Sequence, residues 1–184
     1  MSDYQTFRIN GEYHLALGEI DAAVDCFKKA LELDDTQAAP LLGLAAACIF
    51  EGEYEPALTL YMKAASIEKS AAAHAGIGLV LSEMDKLDDS FTHFLMALSI
   101  DPVNKVALNG LLQLGYGTER LPQVIEAFEK ALAANTDDTA VRFSYATCLL
   151  SVDRKEECIA ELKGVLNTDP NHQAALEVLN HVAA

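Results

Sequence analysis

Small and apolar side chains recur along this chain in one fixed frame. One slot marks it five times: Ala30 in FKKALELD, Ala64 in YMKAASIE, Ala97 in FLMALSID and Ala131 in FEKALAAN, with Val165 filling it in LKGVLNTD. Successive markers are 34, 33, 34 and 34 residues apart. Three residues before each stands a larger apolar residue: Phe27, Tyr61, Phe94, Phe128 and Leu162. Seven residues before each stands a short one: Ala23, Ala57, Ser90, Val124 and Cys158. Offsets of zero, three and seven share one face of a 3.6-residue helix. Each unit therefore predicts a helix with one apolar stripe, in which the short residue admits a neighbouring helix and the larger one fills the space beyond it.

A second helical stretch precedes each of these, near Tyr4–Leu17, Pro40–Phe50, Ala72–Ser82, Val106–Leu114 and Ala140–Leu150. The links inside the units carry turn residues: Gly18-Glu19, Gly52-Glu53, Asp85-Lys86, Thr118-Glu119 and Asp153-Arg154. Links this short make the two helices antiparallel neighbours. The prolines agree with the parsing. Pro40, Pro56 and Pro122 fall in first helical turns, where a missing N–H costs nothing. Pro102 and Pro170 each follow an Asp between units, where they stop a helix. Gly110, Gly115 and Gly117 weaken the end of the fourth unit's first helix and predict a frayed end with a flexible joint, since Gly costs about 1 kcal/mol relative to Ala inside a helix.

These units resemble tetratricopeptide repeats, a family with a 34-residue pattern of small residues and an aromatic-to-alanine spacing of three. The first unit carries the resemblance through Phe7, Gly11, Gly18, Ala23, Phe27 and Ala30. The second does so through Leu41, Leu44, Ala45, Gly52, Ala57, Tyr61 and Ala64, and the third through Gly78, Phe94, Ala97 and Asp101-Pro102. The fourth and fifth keep Phe128, Ala131 and Asp169-Pro170 but place Leu112, Val124 and Val165 where smaller residues are usual. The resemblance implies an all-α fold, a right-handed α-solenoid of five antiparallel helix pairs plus a C-terminal capping helix. The expected repeats are 4–37, 38–70, 71–104, 105–138 and 139–172, followed by a capping helix over 173–184. One unit cannot bury its own apolar face, so stacking predicts a single domain over 1–184.

The resemblance also implies that the first helices line an inner, concave groove. Its expected protein-binding residues are Arg8, Glu12 and Leu15 in the first unit, and Leu42, Ala46, Ile49 and Phe50 in the second. The later units supply Ala75 and Leu79, then Asn109, Gln113 and Tyr116, then Phe143, Thr147 and Leu150. Small and apolar residues dominate the set, and contiguous exposed apolar surface marks binding sites. An amphipathic helix or an extended apolar peptide is the natural occupant. Leu42→Glu and Phe143→Glu are expected to abolish binding without unfolding the chain. Members of the family that grip a chaperone's terminal carboxylate use Lys, Asn and Arg on this face. Here Arg8 matches, but Glu12, Gly43, Ala72 and Gly76 supply neither cation nor amide, so that subtype is disfavoured.

Composition narrows the function further. With 13 basic and 28 acidic residues the net charge is −15, and the basic ones are scattered. Nucleic-acid binding needs clustered Lys and Arg, so none is expected. The acidity favours solubility and a basic partner. No apolar run reaches the roughly 20 residues of a membrane span, so no membrane insertion is expected. The N-terminus lacks the basic start and apolar stretch of a secretory signal, and the expected location is cytoplasmic. Cys26, Cys48, Cys148 and Cys158 form no CxxC pair and are expected as reduced thiols. No two of His14, His74, His93, His172 and His181 have helical metal-ligand spacing, and His14 and His74 occupy packing positions. The carboxylate pairs Asp88-Asp89 and Glu156-Glu157 suit helix starts. With no catalytic constellation, no cofactor and no metal are expected and an enzyme is disfavoured. The expected function is a non-catalytic scaffold or adaptor that binds a protein or peptide. Alternatives are a homo-oligomeric scaffold assembling through Leu176, Val178, Leu179 and Val182 of the terminal helix, or a small secretion or assembly chaperone.

Overall fold

The computed structural model describes residues 2–135 and 137–182, and its regular elements are all α-helices. Met1, Thr136, Ala183 and Ala184, which fall in the expected domain, fourth repeat and capping helix, lie outside the described residues. The first four helices are α1 (Asp3–Ala16), α2 (Ile20–Leu33), α3 (Ala38–Phe50) and α4 (Tyr54–Ile67). Next come α5 (Ala71–Glu83), α6 (Leu87–Ile100), α7 (Lys105–Gly115) and α8 (Leu121–Ala134). The last are α9 (Thr139–Ser151), α10 (Lys155–Thr168) and α11 (Gln173–Val182). They are the five pairs and terminal helix that the repeat predicts. Two compact units divide between Ala107 and Leu108, inside α7.

The turns inside the pairs follow from helix-end chemistry. A helix leaves its last carbonyls without partners. In the first pair Gly18 takes φ +76°, its N–H donates to the Leu15 carbonyl, and the Glu19 N–H donates to the His14 carbonyl at 2.9 Å. That double closure is a Schellman motif, and it requires a left-handed residue. Gly52 repeats it at φ +76°. Asp85 and Asp153 fill the same place at φ 59°, a conformation that Asp tolerates better than most residues. The fourth pair departs from the pattern. Helix α7 ends at Gly115, the left-handed residue is Gly117, and the turn, which holds the expected Thr118-Glu119, is longer.

In the first unit each pair packs internally, α2 packs on α3, and α4 packs on α5. The first helices α1, α3 and α5 also run alongside one another more closely than the second helices α2, α4 and α6 do. The predicted stripe is the core: Ala23, Phe27, Ala30, Ala57, Tyr61, Ala64, Phe94 and Ala97 are all buried. Ser90, in the small-residue position of α6, is fully buried and donates its hydroxyl to the Gly78 carbonyl at 2.7 Å. The rings need glycines opposite them. A Cβ on Gly11 would lie 2.6 Å from the Phe27 ring, and one on Gly43 would lie 2.2 Å from it. Phe27 is thus held between α1 and α3. The Tyr61 ring meets Gly76 and the Phe94 ring meets Gly78 in the same way.

In the second unit α8 packs on α9, α9 on α10, and α10 on α11. Val124, Phe128, Ala131, Cys158, Leu162 and Val165 bury the same stripe. Polar ties reinforce it. Tyr145 donates to Glu129 at 2.9 Å, and Arg142 pairs with Glu161 at 2.6 Å. Asp138 caps α9 by accepting from the Ala140 and Val141 N–H groups.

Candidate protein-binding face

The face is built from helix register. In α1, α3 and α5 the residues predicted to face inward and their register mates fall into matching places along the three helices. Ala16, Phe50 and Glu83 share one place, and all three are exposed. Glu12, Ala46 and Leu79 share the next, with Glu12 and Leu79 exposed and Ala46 half-buried. Leu15, Ile49 and Ser82 are half-buried beside them. Phe50 keeps 68% of its surface open and Leu79 keeps 38%. The strip offers two large apolar side chains above a half-buried apolar floor.

Not every expected residue lies open. Ala75 is 2% exposed, so it belongs to the core and can offer a ligand nothing. Its methyl is short and the helices close over it. Leu42 and Ile49 pack along the buried cluster of Ala45, Tyr61, Ile77 and Val80, so each is both floor and core. Leu42→Glu would therefore disturb packing as well as a surface. Arg8 is the strip's cation, and it is engaged. It contacts the Glu12 carboxylate and donates to Gln5 Oε1 at 3.2 and 3.1 Å.

In the second unit Asn109, Gln113 and Tyr116 are exposed. Tyr116 accepts a hydrogen bond from the Ser151 hydroxyl at 2.7 Å. Phe143, Thr147 and Leu150 are half-buried. The Phe143 ring lies 5.0 Å from that of His172, the residue that caps α11 by accepting from the Ala175 N–H. Phe143→Glu would disturb that contact too, so neither of the two expected substitutions isolates binding from folding.

Gly43 and Gly76, two positions where a carboxylate-gripping face would need polar side chains, are steric requirements of the core. Any Cβ there would enter a buried ring. The absence of a cation or amide at these places is thus imposed by Phe27 and Tyr61.

Sequence spacing missed one meeting. His74 of α5 and His93 of α6 stand 19 residues apart, yet their Nδ1 atoms lie 3.2 Å from each other. Burial, and then the neighbouring His74, hold the His93 imidazole below its usual value, against an opposing pull from Asp89. The periodic frame carried the signal, because Arg142 and Glu161 meet across the same interval of 19 in the fifth pair. The four cysteines are free thiols, and burial raises the Cys148 pKa to about 11. A nucleophilic thiol needs the opposite shift. Among the described residues no group of three or more His, Cys, Asp or Glu is placed to hold a metal ion. No helix among them is long and apolar enough to cross a membrane.

The turns at the ends of α1, α3 and α5 add a row of carboxylates beside the strip: Glu19, Glu51, Glu53, Glu83 and Asp85, all exposed. A depression of about 470 Å³ lies at Gly18–Ala22 beside Glu51. Tyr54 donates to Glu83 at 3.3 Å, and the charge of that carboxylate raises the Tyr54 pKa.

Comparison with known proteins matches this geometry. Two tetratricopeptide repeat models fit the chain, one over residues 11–37 and one over 116–181. A CTR9 homologue of Arabidopsis thaliana is 30% identical over 146 residues, which are 73% of this chain and 13% of that protein. The chain spans only 12–13% of the length of the curated relatives it matches. Among solved structures, pilF of Pseudomonas aeruginosa superposes with a TM-score of 0.79 at 21% identity, covering 98% of this chain and 83% of that one. YrrB, described as a tetratricopeptide repeat protein with an unusual peptide-binding site, gives 0.64 at 16% identity, covering 91% and 87%.

Proposed function

Because the chain belongs to the tetratricopeptide repeat family, we propose that it is a non-catalytic scaffold that holds a partner polypeptide on the face of α1, α3 and α5. The observation that carries this reading is the exposure of Phe50 and Leu79 in neighbouring register places on adjacent helices, above the half-buried Leu15, Leu42 and Ile49. Exposed large apolar side chains gathered on one strip lose hydration cost only when something covers them. The closer approach of the first helices, relative to the second, supports placing the inside of the curve on this side. The occupant that suits a strip of this kind is an amphipathic helix, whose apolar side chains recur at i, i+3, i+4 and i+7. YrrB, of the same fold, is a protein with a peptide-binding site.

Binding to a series of amphipathic helical peptides, measured by fluorescence anisotropy, tests the reading. Phe50→Glu with Leu79→Glu is the variant to use, since both side chains are open and their loss leaves the core intact. An affinity loss of about tenfold or more is expected, as for truncated anchor residues at interfaces. Unchanged affinity in a variant with native circular dichroism would sink the assignment of this face.

A further inference from the structure

We infer that the polypeptide held on α1, α3 and α5 is basic: an amphipathic helix with Lys or Arg along the side that lies against Glu51, Glu53 and Glu83. This rests on the binding face proposed above and adds the chemistry of its occupant.

The argument starts from where the carboxylates stand. The C-terminal end of a helix carries a partial negative charge and favours cations. Glu51 is the C-cap of α3 and Glu83 is the last residue of α5, so both add negative charge where the helix already presents it. Neither helix has a basic residue in its last turn. In α1 the basic residue of the last turn is His14, and it is already paired with Glu19. Other carboxylates nearby have an explanation inside the fold: Asp21, Glu55, Asp88 and Asp89 sit in the first turns of α2, α4 and α6, where the dipole favours them. Glu53, the N-cap of α4, is likewise favoured by the dipole, and Glu83 accepts from Tyr54, but Glu51 and Glu83 both stand at C-terminal ends, where the dipole disfavours a carboxylate. Lys86 is the one basic residue in the three turns that close α1, α3 and α5.

This edge adjoins the apolar strip directly. Phe50 precedes Glu51 in the chain, and Glu83 shares its register place with Phe50 on the adjacent helix. A partner that covers Phe50 and Leu79 must therefore bring its own polar groups up to Glu51 and Glu83. Burying those carboxylates without a counter-charge would be costly, and Lys or Arg removes the cost. Arg8 cannot serve, because Glu12 and Gln5 already hold it.

Three helical peptides of about 18 residues with one apolar face test this. Their polar faces carry Lys, Gln or Glu. The Lys peptide should bind at least about tenfold more tightly than the Glu peptide, and the preference should shrink as salt rises from about 0.05 to 0.5 M. A triple variant, Glu51→Gln with Glu53→Gln and Glu83→Gln, should lower Lys-peptide affinity about fivefold and leave the Gln peptide unchanged. A control, Glu32→Gln with Asp35→Asn and Glu68→Gln, removes the same charge at the other ends of the helices. A 14-residue helix puts that edge about 20 Å away, beyond the screening length in physiological salt. The control should bind as wild type does. Equal losses in both triples would mean that net charge alone attracts the peptide and would overturn the inference. Equal binding of all three peptides would overturn it while leaving the apolar face standing. If none of the three binds, the face itself falls, and the inference with it.

Discussion

In the first helix pair Phe7 of α1 and Cys26 of α2 occupy one slot, and the Lys29 ammonium lies 5.5 Å above the Phe7 ring. In the fifth pair the same three places hold Arg142, Glu161 and Gly164. The cation has changed helices. Arg142 now reaches across to Glu161 at 2.6 Å, and its chain crosses the room that Gly164 leaves by having no side chain. The third pair places His74 and His93 in the first two of these positions. One residue further along the second helix, by contrast, Phe27 and Leu162 are both fully buried. The difference is water. Phe7, His74, Arg142 and Glu161 are all half-buried, so a charge there keeps part of its hydration, whereas the position of Phe27 and Leu162 would strip it completely. The repeat therefore fixes shape at the buried stripe and leaves chemistry free at its margin.

The sharpest way to break this comparison is to add one methyl on each side of it. Gly43→Ala should destabilise the protein by about 1–3 kcal/mol through overpacking, because Phe27 is also blocked by Gly11 and cannot retreat. Better helix propensity offsets only part of this, at about 1 kcal/mol. Gly164→Ala meets only the Arg142 side chain, which can swing aside, so propensity should win and stability should hold or rise. Urea unfolding of both variants decides it, and equal losses would erase the distinction between buried stripe and margin.

A smaller effect is expected at the margin itself. Arg142→Met keeps the aliphatic stem and removes the charge, and it should cost about 1 kcal/mol, near the upper end for pairs that retain solvent contact. Chemical denaturation in low and high salt checks this, since part of the loss should vanish as salt screens the wild-type pair.

The smallest effect concerns His93. Its folded pKa is depressed, so the unfolded chain takes up the proton more readily. Stability from this group is intact well above the ordinary histidine pKa of about 6.5, falls as pH drops below that value, and levels off below the folded pKa. His93→Gln should flatten that stretch of the profile. Parallel pH profiles for wild type and variant would remove His93 as the cause.

Much of this was legible in the chain. The stripe through Phe27 and Ala30, the prolines in first turns, and the turns at Gly18, Gly52, Asp85 and Asp153 all follow from local periodicity and turn chemistry. Of the candidate face, register alone gave the places of Phe50 and Leu79. It could not show that Ala75 is closed over, or that Leu42 and Phe143 are already engaged, because an inward phase on one helix says nothing of how near the next helix comes. Nor could it reveal the row from Glu19 to Asp85, which forms only when the ends of three helices, each one repeat apart, are brought side by side.

By itself, then, the sequence determined which residues are helical, which share a face, and where each helix ends, since these depend on neighbours within a few positions. The tertiary structure alone decided that Gly43 and Gly76 are seats for aromatic rings, that His74 meets His93, and which apolar side chains stay in water. Those outcomes depend on the distance between helices, which is set by the volumes of side chains contributed from different repeats.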